Sequence, residues 1–174
     1  MIKRIVTISI IVVASFTINA QSDMSVLGNV IEAYFKTVSS DNLASRSQGL
    51  DTLMVDDAQM TSVLLQSNGN SSITTGSWKE YLENSAGFYN DFELKFSEME
   101  REVDFYLDLA SVHVLVEQRA IKKATKRLFT QNLWLQLELI FVNNRWHITD
   151  ALWVNESNQL INNVLLQDTL MRVP

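Results

Sequence analysis

The sequence predicts an α+β domain in which N-terminal helices pack on one side of a curved antiparallel sheet. Three observations carry that expectation. Apolar residues recur at helical spacing only in the first half of the chain. From Phe92 onward they alternate at period two, the pattern of strands with one face on a core and one more polar. Finally, Asn132 to Trp153 holds two alternating runs joined by Asn143-Asn144, and an Asn pair suits a two-residue hairpin turn because Asn tolerates positive φ.

The elements follow in order. Met24 to Val38 reads as an amphipathic helix, with Leu27, Ile31, Tyr34, Phe35 and Val38 on one stripe and Ser22 or Asp23 as cap. Ser39-Ser40-Asp41-Asn42 breaks that pattern and can cap a short second helix over Leu43 to Leu50. Met54 to Leu65 reads as a strand or strand pair, and Gln66 to Gly76 as a polar loop. Ser77-Trp78-Lys79-Glu80 has capping-box form and opens a helix that ends near Gly87. The strand runs beyond it are Phe92-Leu94-Phe96, Val103-Phe105-Leu107, Ala110 to Val116, Leu133 to Phe141 and Trp146 to Leu152.

With 174 residues the chain is long enough for one domain with a sizeable core, predicted over 21–174 with its centre at 23–157. Residues 1–20 are set apart. Lys3 and Arg4 precede an apolar run from Ile5 to Ile18, and Ile18-Asn19-Ala20 offers a small-residue cleavage site, the pattern of a secretory signal peptide. A membrane anchor is the alternative, but the run falls short of the roughly 20 apolar residues a spanning helix needs. The expectation is therefore an exported protein, periplasmic or secreted, with no stable membrane anchor after cleavage.

No Cys is present, which excludes disulfides and a lipidated thiol. Removing residues 1–20 takes away Lys3 and Arg4 and no acidic group, so the formal charge goes from −6 to −8. An acidic protein is a poor polyanion binder, so no nucleic-acid partner is expected. The basic cluster Arg119 to Arg127 reads as a solvated loop. Two His and no Cys leave no metal site, and no Gly-rich phosphate loop or nucleophile elbow points to a cofactor or an acyl-transfer reaction. The tail 158–174, with Leu160, Ile161, Val164 and Leu165, could form a docking helix or fray.

The helix with Tyr34-Phe35, the Ser77-Trp78 helix start, the hairpin Asn143-Asn144-Arg145-Trp146-His147-Ile148 and the closing Ala151-Leu152-Trp153 together resemble the NTF2-like (SnoaL-like) superfamily over about residues 23–157. The resemblance implies a curved sheet wrapped around N-terminal helices with a cone-shaped cavity. It does not fix an activity, because that fold hosts isomerases, dehydratases, cyclases, transport factors and plain binding modules.

Asp150 is the candidate for chemistry. On a regular strand it shares a face with Trp146, Ile148 and Leu152, where burial would raise its pKa and suit a general base. The plainer reading is a solvated or capping carboxylate at the strand's mouth. His147 would point the other way, so a His147–Asp150 dyad requires a β-bulge. Tyr34, Trp78, Tyr81, Phe92, Phe96 and Phe105 could line a pocket for a small apolar ligand, or simply form core. Trp134, Gln136, Glu138, His147 and Trp153 would form a mixed patch on the outer sheet face, and through it a homodimer. The leading expectation is a non-catalytic domain that binds a small molecule or acts as an interaction module. The alternatives are a cavity enzyme using Asp150 as base, with Tyr34 or Tyr81 donating to an oxyanion, and a structural dimer with a filled cone.

Overall fold

The computed structural model describes residues 26–65 and 70–155. The signal-peptide pattern at 1–20 and the tail 158–174 lie outside the described residues. Helix α1 is described over 26–38. The chain continues through α2 (Leu43–Leu53), β1 (Met54–Leu65), β2 (Ser71–Ser77), α3 (Trp78–Asp91), β3 (Phe92–Tyr106), β4 (Leu109–Lys122), β5 (Leu128–Val142) and β6 (Arg145–Asn155). The strands form one curved, unclosed sheet in the order β2-β1-β6-β5-β4-β3.

Sequence periodicity explains most of this. The predicted stripe of α1 is buried, with Leu27, Ile31, Tyr34, Phe35 and Val38 packed onto the sheet. There they meet the inward residues of β4 and β5, Val112, Val114, Val116, Leu135, Leu137 and Leu139. Asn42 caps α2 by accepting from the Ser45 N–H at 3.0 Å. Helix α2 approaches α1 so closely that a Cβ at Gly49 would stand 2.5 Å from Thr37 Cγ2, which only glycine avoids. The capping box at Ser77–Glu80 forms as its spacing requires. Asn143 and Asn144 have φ of 53° and 62°, the two positive values a type I′ hairpin demands.

Several expectations are corrected. The sheet is mixed, because β1 runs parallel to its neighbour β6 while the other pairs are antiparallel. The polar stretch before Ser77 is largely a strand: β2 pairs with β1 from Gln59↔Ser77 to Leu65↔Ser71, an edge where hydroxyl side chains need no core. Helix α3 continues past Gly87 to Asp91. The two runs around Phe96 and Val103 belong to one strand, β3, with a register shift between Glu98 and Glu100. The start of the basic cluster, Arg119 to Lys122, lies on β4 rather than in a loop.

The most consequential correction is in β6. Leu139 stands opposite Ile148, and Glu138 opposite Asp150, so Thr149 is an extra residue in a β-bulge. The Thr149 hydroxyl donates to the Glu138 carbonyl at 3.1 Å. The bulge inverts the phase of everything after it. Trp146 and Ile148 face the core before it, and Ala151 and Trp153 face inward after it.

Candidate functional site

The inner face near the sheet's β2 edge carries an open recess of about 180 Å³. Register builds its floor. Thr74 lies opposite Ser62, and Ser62 opposite Trp153, so two hydroxyl side chains and an indole stand in one row across β2, β1 and β6. Met60 and Gly76 form the adjacent row. Helix α3 supplies the roof, where Glu80, Tyr81 and Asn84 share a face at helical spacing.

The α3 N-terminus fixes that roof. Glu80 Oε2 accepts from the Ser77 N–H at 2.7 Å and from Ser77 Oγ at 3.1 Å, while the Glu80 N–H donates to Ser77 Oγ at 3.2 Å. A Cβ at Gly76 would lie 2.9 Å from Glu80 Oε2, so glycine permits the close crossing of β2 under the helix. The carboxylate of Glu80 is thus held at a helix N-terminus, where the dipole favours its charge.

Behind the recess lies a buried aromatic-polar cluster. Trp153 Nε1 donates to the Tyr34 hydroxyl at 3.1 Å, and the two rings stack with centroids 6.2 Å apart. Phe96 packs on the indole at 5.3 Å. Tyr89 donates its hydroxyl proton to the Val38 carbonyl at 2.8 Å. Its one proton is committed there, so in the long 3.5 Å contact with Tyr81 the Tyr89 oxygen can only accept. At 3.5 Å that contact does not hold the Tyr81 proton, which leaves its hydroxyl able to donate or accept at the recess. Burial pushes the Tyr34, Tyr81 and Tyr89 hydroxyls above the usual phenol range, so all three are neutral O–H groups.

Arg46 closes the cluster from α2. It is 2% exposed, its guanidinium lies 3.4 Å from the Tyr89 ring centroid, and Nη1 donates to the Ser40 carbonyl at 2.6 Å. No carboxylate pairs with it among the described residues. The partial negative charge at the C-terminal end of α1 and the face of Tyr89 compensate the cation. Arg46 therefore reads as a clamp between α1, α2 and α3.

The predicted site residues do not assemble into one pocket. Tyr81 lines the recess. Tyr34 and Trp78 are buried in the main core. Phe92 belongs to a second cluster with Tyr89, Leu94, Ala120 and Phe129. Phe96 is half-buried against Trp153. Phe105 lines a separate hollow of about 220 Å³ with Leu27, Gly28, Arg101 and Val103. Arg101 there is already ion-paired with Glu98. The expected aromatic-walled cone is corrected: most of those rings are spent on packing.

Asp150 sits on the outer face, opposite Glu138, because of the bulge at Thr149. Burial first, and the neighbouring Glu138 charge second, raise its pKa. Glu138 accepts from Ser111 Oγ at 2.8 Å and from Gln136 Nε2 at 2.7 Å. His147 lies on this same face, accepting from Arg145 Nε at 2.7 Å, and its pKa is lowered by burial and then by the Arg145 charge. The bulge thus brings His147 and Asp150 to one face, but on the side away from the recess. Trp134, Gln136, Glu138 and His147 share that outer face as expected, and Trp153 is corrected to the inner one. Among the described residues, no group of three His, Cys, Asp or Glu side chains could hold a metal ion.

Ser62, Asn84, Tyr89 and Arg46 are not among the expected site residues, and Thr74 reads in the sequence as a turn residue of the polar loop. Only Arg46 left a trace, four residues before Leu50 on the buried stripe of α2.

No protein-family model matches the chain, and no curated protein sequence does. Solved structures do. An NTF2-like superfamily protein from Salmonella enterica serovar Typhimurium aligns at TM-score 0.61 and 9% identity, over 80% of this chain and 95% of that one. An NTF2-like protein with a cystatin-like fold from Novosphingobium aromaticivorans aligns at 0.62 and 11%, over 88% and 94%. The chain has the NTF2-like fold. A candidate scytalone dehydratase from the same organism aligns at 0.63 and 11%, over 81% and 89%. At these identities the likeness carries the NTF2-like architecture and no activity.

Proposed function

We propose that the protein is an exported NTF2-like binding domain that holds a small molecule in the recess between α3 and the Thr74–Ser62–Trp153 row, without acting on it chemically. The observation that supports this reading is the convergence of polar side chains from β1, β2 and α3 beside Trp153 and Tyr81. A general base is not among them in usable form: Glu80 is committed to its capping box, and Asp150 lies across the sheet. Export rests on the n-region, apolar run and cleavage site in residues 1–20. Thermal shift against a fragment collection tests binding. A stabilising fragment whose effect is lost in Asn84→Leu supports the reading, and no stabilising fragment at millimolar concentration sinks it. N-terminal sequencing of the exported protein tests processing, with Gln21 expected first.

A second reading, homodimerisation through the outer sheet face, is favoured by one observation. Ile73, Val63, Val154, Trp134 and Leu115 are register partners in a single row across five strands. Ile73 is 65% exposed and Trp134 43%. A contiguous apolar stripe of this kind suits a partner surface. Light scattering on a concentrated sample decides it, and a monomer there removes the proposal.

A further inference from the structure

We infer that the molecule held in the recess is a neutral, hydroxyl-rich compound of monosaccharide size or smaller. This rests on the reading of the recess as a ligand site and adds the chemistry of the ligand. Size comes first. About 180 Å³ is well below the roughly 300–1,000 Å³ typical of sites for drug-sized ligands.

Charge comes next. Among the described residues no Lys, Arg or His lines the recess, so an anionic head group would find no counter-charge there. Arg46 lies behind Tyr89 and is engaged with the Ser40 carbonyl, and Arg101 belongs to the other hollow and is paired with Glu98. The one carboxylate among the described lining residues, Glu80, is already matched by the Ser77 N–H, the Ser77 hydroxyl and the α3 N-terminus. It therefore offers little to an ammonium group.

Hydrogen-bonding capacity completes the selection. Ser62 and Thr74 each bring a hydroxyl that donates and accepts, and Asn84 brings an amide that does both. Alternation along β1 and β2 puts the Ser62 and Thr74 side chains towards the recess, while the Thr61 and Thr75 hydroxyls at its border bond to each other at 3.1 Å. Tyr81 adds a further hydroxyl that donates and accepts, because its 3.5 Å contact with Tyr89 is too long to commit its proton. A wholly apolar occupant would desolvate these groups without replacing their hydrogen bonds with water. A polyol supplies both donors and acceptors, and its C–H faces can lie on the rings of Trp153 and Tyr81.

The test is an NMR titration of the full-length ¹⁵N-labelled protein with myo-inositol, D-glucose, cyclohexanol, benzoate and benzylamine. The two polyols are expected to shift the amides of Ser62, Thr74 and Asn84 and the Trp153 indole N–H. Cyclohexanol, benzoate and benzylamine should bind about tenfold more weakly, the loss expected when a buried polar contact goes unmade. Asn84→Leu and Ser62→Val, both at exposed positions, should each weaken polyol binding about threefold or more, while Gln136→Leu on the outer face should leave it unchanged. If cyclohexanol, benzoate or benzylamine binds the recess as tightly as the polyols, the ligand class is overturned while the recess survives as a site. If no probe shifts the recess residues, both readings are overturned together.

Discussion

Replacing Arg46 probes how the three helices are held together. Its Nη1 donates to the Ser40 carbonyl, its guanidinium covers the Tyr89 ring, and Tyr89 in turn donates to the Val38 carbonyl, so two orphan carbonyls at the end of α1 depend on this one assembly. A charged hydrogen bond contributes about 1.5–3 kcal/mol and a desolvated cation–π contact up to about 2 kcal/mol. The cost of burying the cation, several kcal/mol, offsets much of that gain. Arg46→Met keeps most of the volume and removes the burial cost but leaves the Ser40 carbonyl unpaired, so a net loss of about 1 kcal/mol is expected. Arg46→Ala also opens a cavity under Tyr89 and should cost about 3 kcal/mol. For a domain of this size that corresponds to a fall in Tm of about 6–12 °C for Ala and about 2–4 °C for Met. Calorimetry or chemical denaturation reads both. An Ala variant within about 0.5 kcal/mol of the parent would refute the clamp, because surface substitutions away from such features stay within that range. Equal losses for Met and Ala would show that charge, not the filled space, carries the effect.

Three further outcomes are expected. Tyr34, Tyr81 and Tyr89 have folded pKa values raised above 10.0 by burial, so the stability they contribute is complete below pH 10 and is lost as pH climbs beyond it. Phenolate absorbance from these three should appear together with the loss of near-ultraviolet circular dichroism, and gradual ionisation in a still-folded protein would contradict their burial. Asp150→Asn should stabilise the protein at neutral pH by about 0.3–0.5 kcal/mol, a figure kept small by solvent screening, and by nothing below about pH 4, because a raised carboxylate pKa costs stability only where the unfolded chain would be ionised. A destabilised Asn variant would mean the carboxylate makes a favourable contact instead. Ser77→Ala should cost about 1 kcal/mol by removing the cap of α3, and an unchanged denaturation midpoint would show that Gly76 and Glu80 hold the helix start without it.

Local signals that were strong in the sequence correspond to local structure. The α1 stripe, the Ser77–Glu80 box and the Asn143-Asn144 turn each depend on residues close in sequence, and all three formed as their spacing required. The parallel pairing of β1 with β6 is different in kind. It joins residues almost a hundred positions apart, and no period within either strand encodes a partner's direction. Strand β2 is illegible in the sequence because an edge strand rich in Ser and Thr has the composition of a loop.

The site suffered most from one residue. Thr149 looks like any other strand residue, yet as a bulge it moves Asp150 to the outer face and turns Trp153 inward. Period-two counting gives the opposite assignment for both. The recess itself is a product of register, since Thr74, Ser62 and Trp153 become neighbours only when three strands are aligned. Large rings in the sequence suggest a pocket wall, and here they mostly fill the core.

A crystallographic fragment screen tests the central claim most directly, because it locates small molecules without presuming their chemistry. Fragments should cluster between Tyr81 and Asn84 of α3 and the Thr74–Ser62–Trp153 row. Clustering in the hollow beside Phe105 and Arg101, or on the outer face around Asp150 and Glu138, with the recess empty, would contradict it.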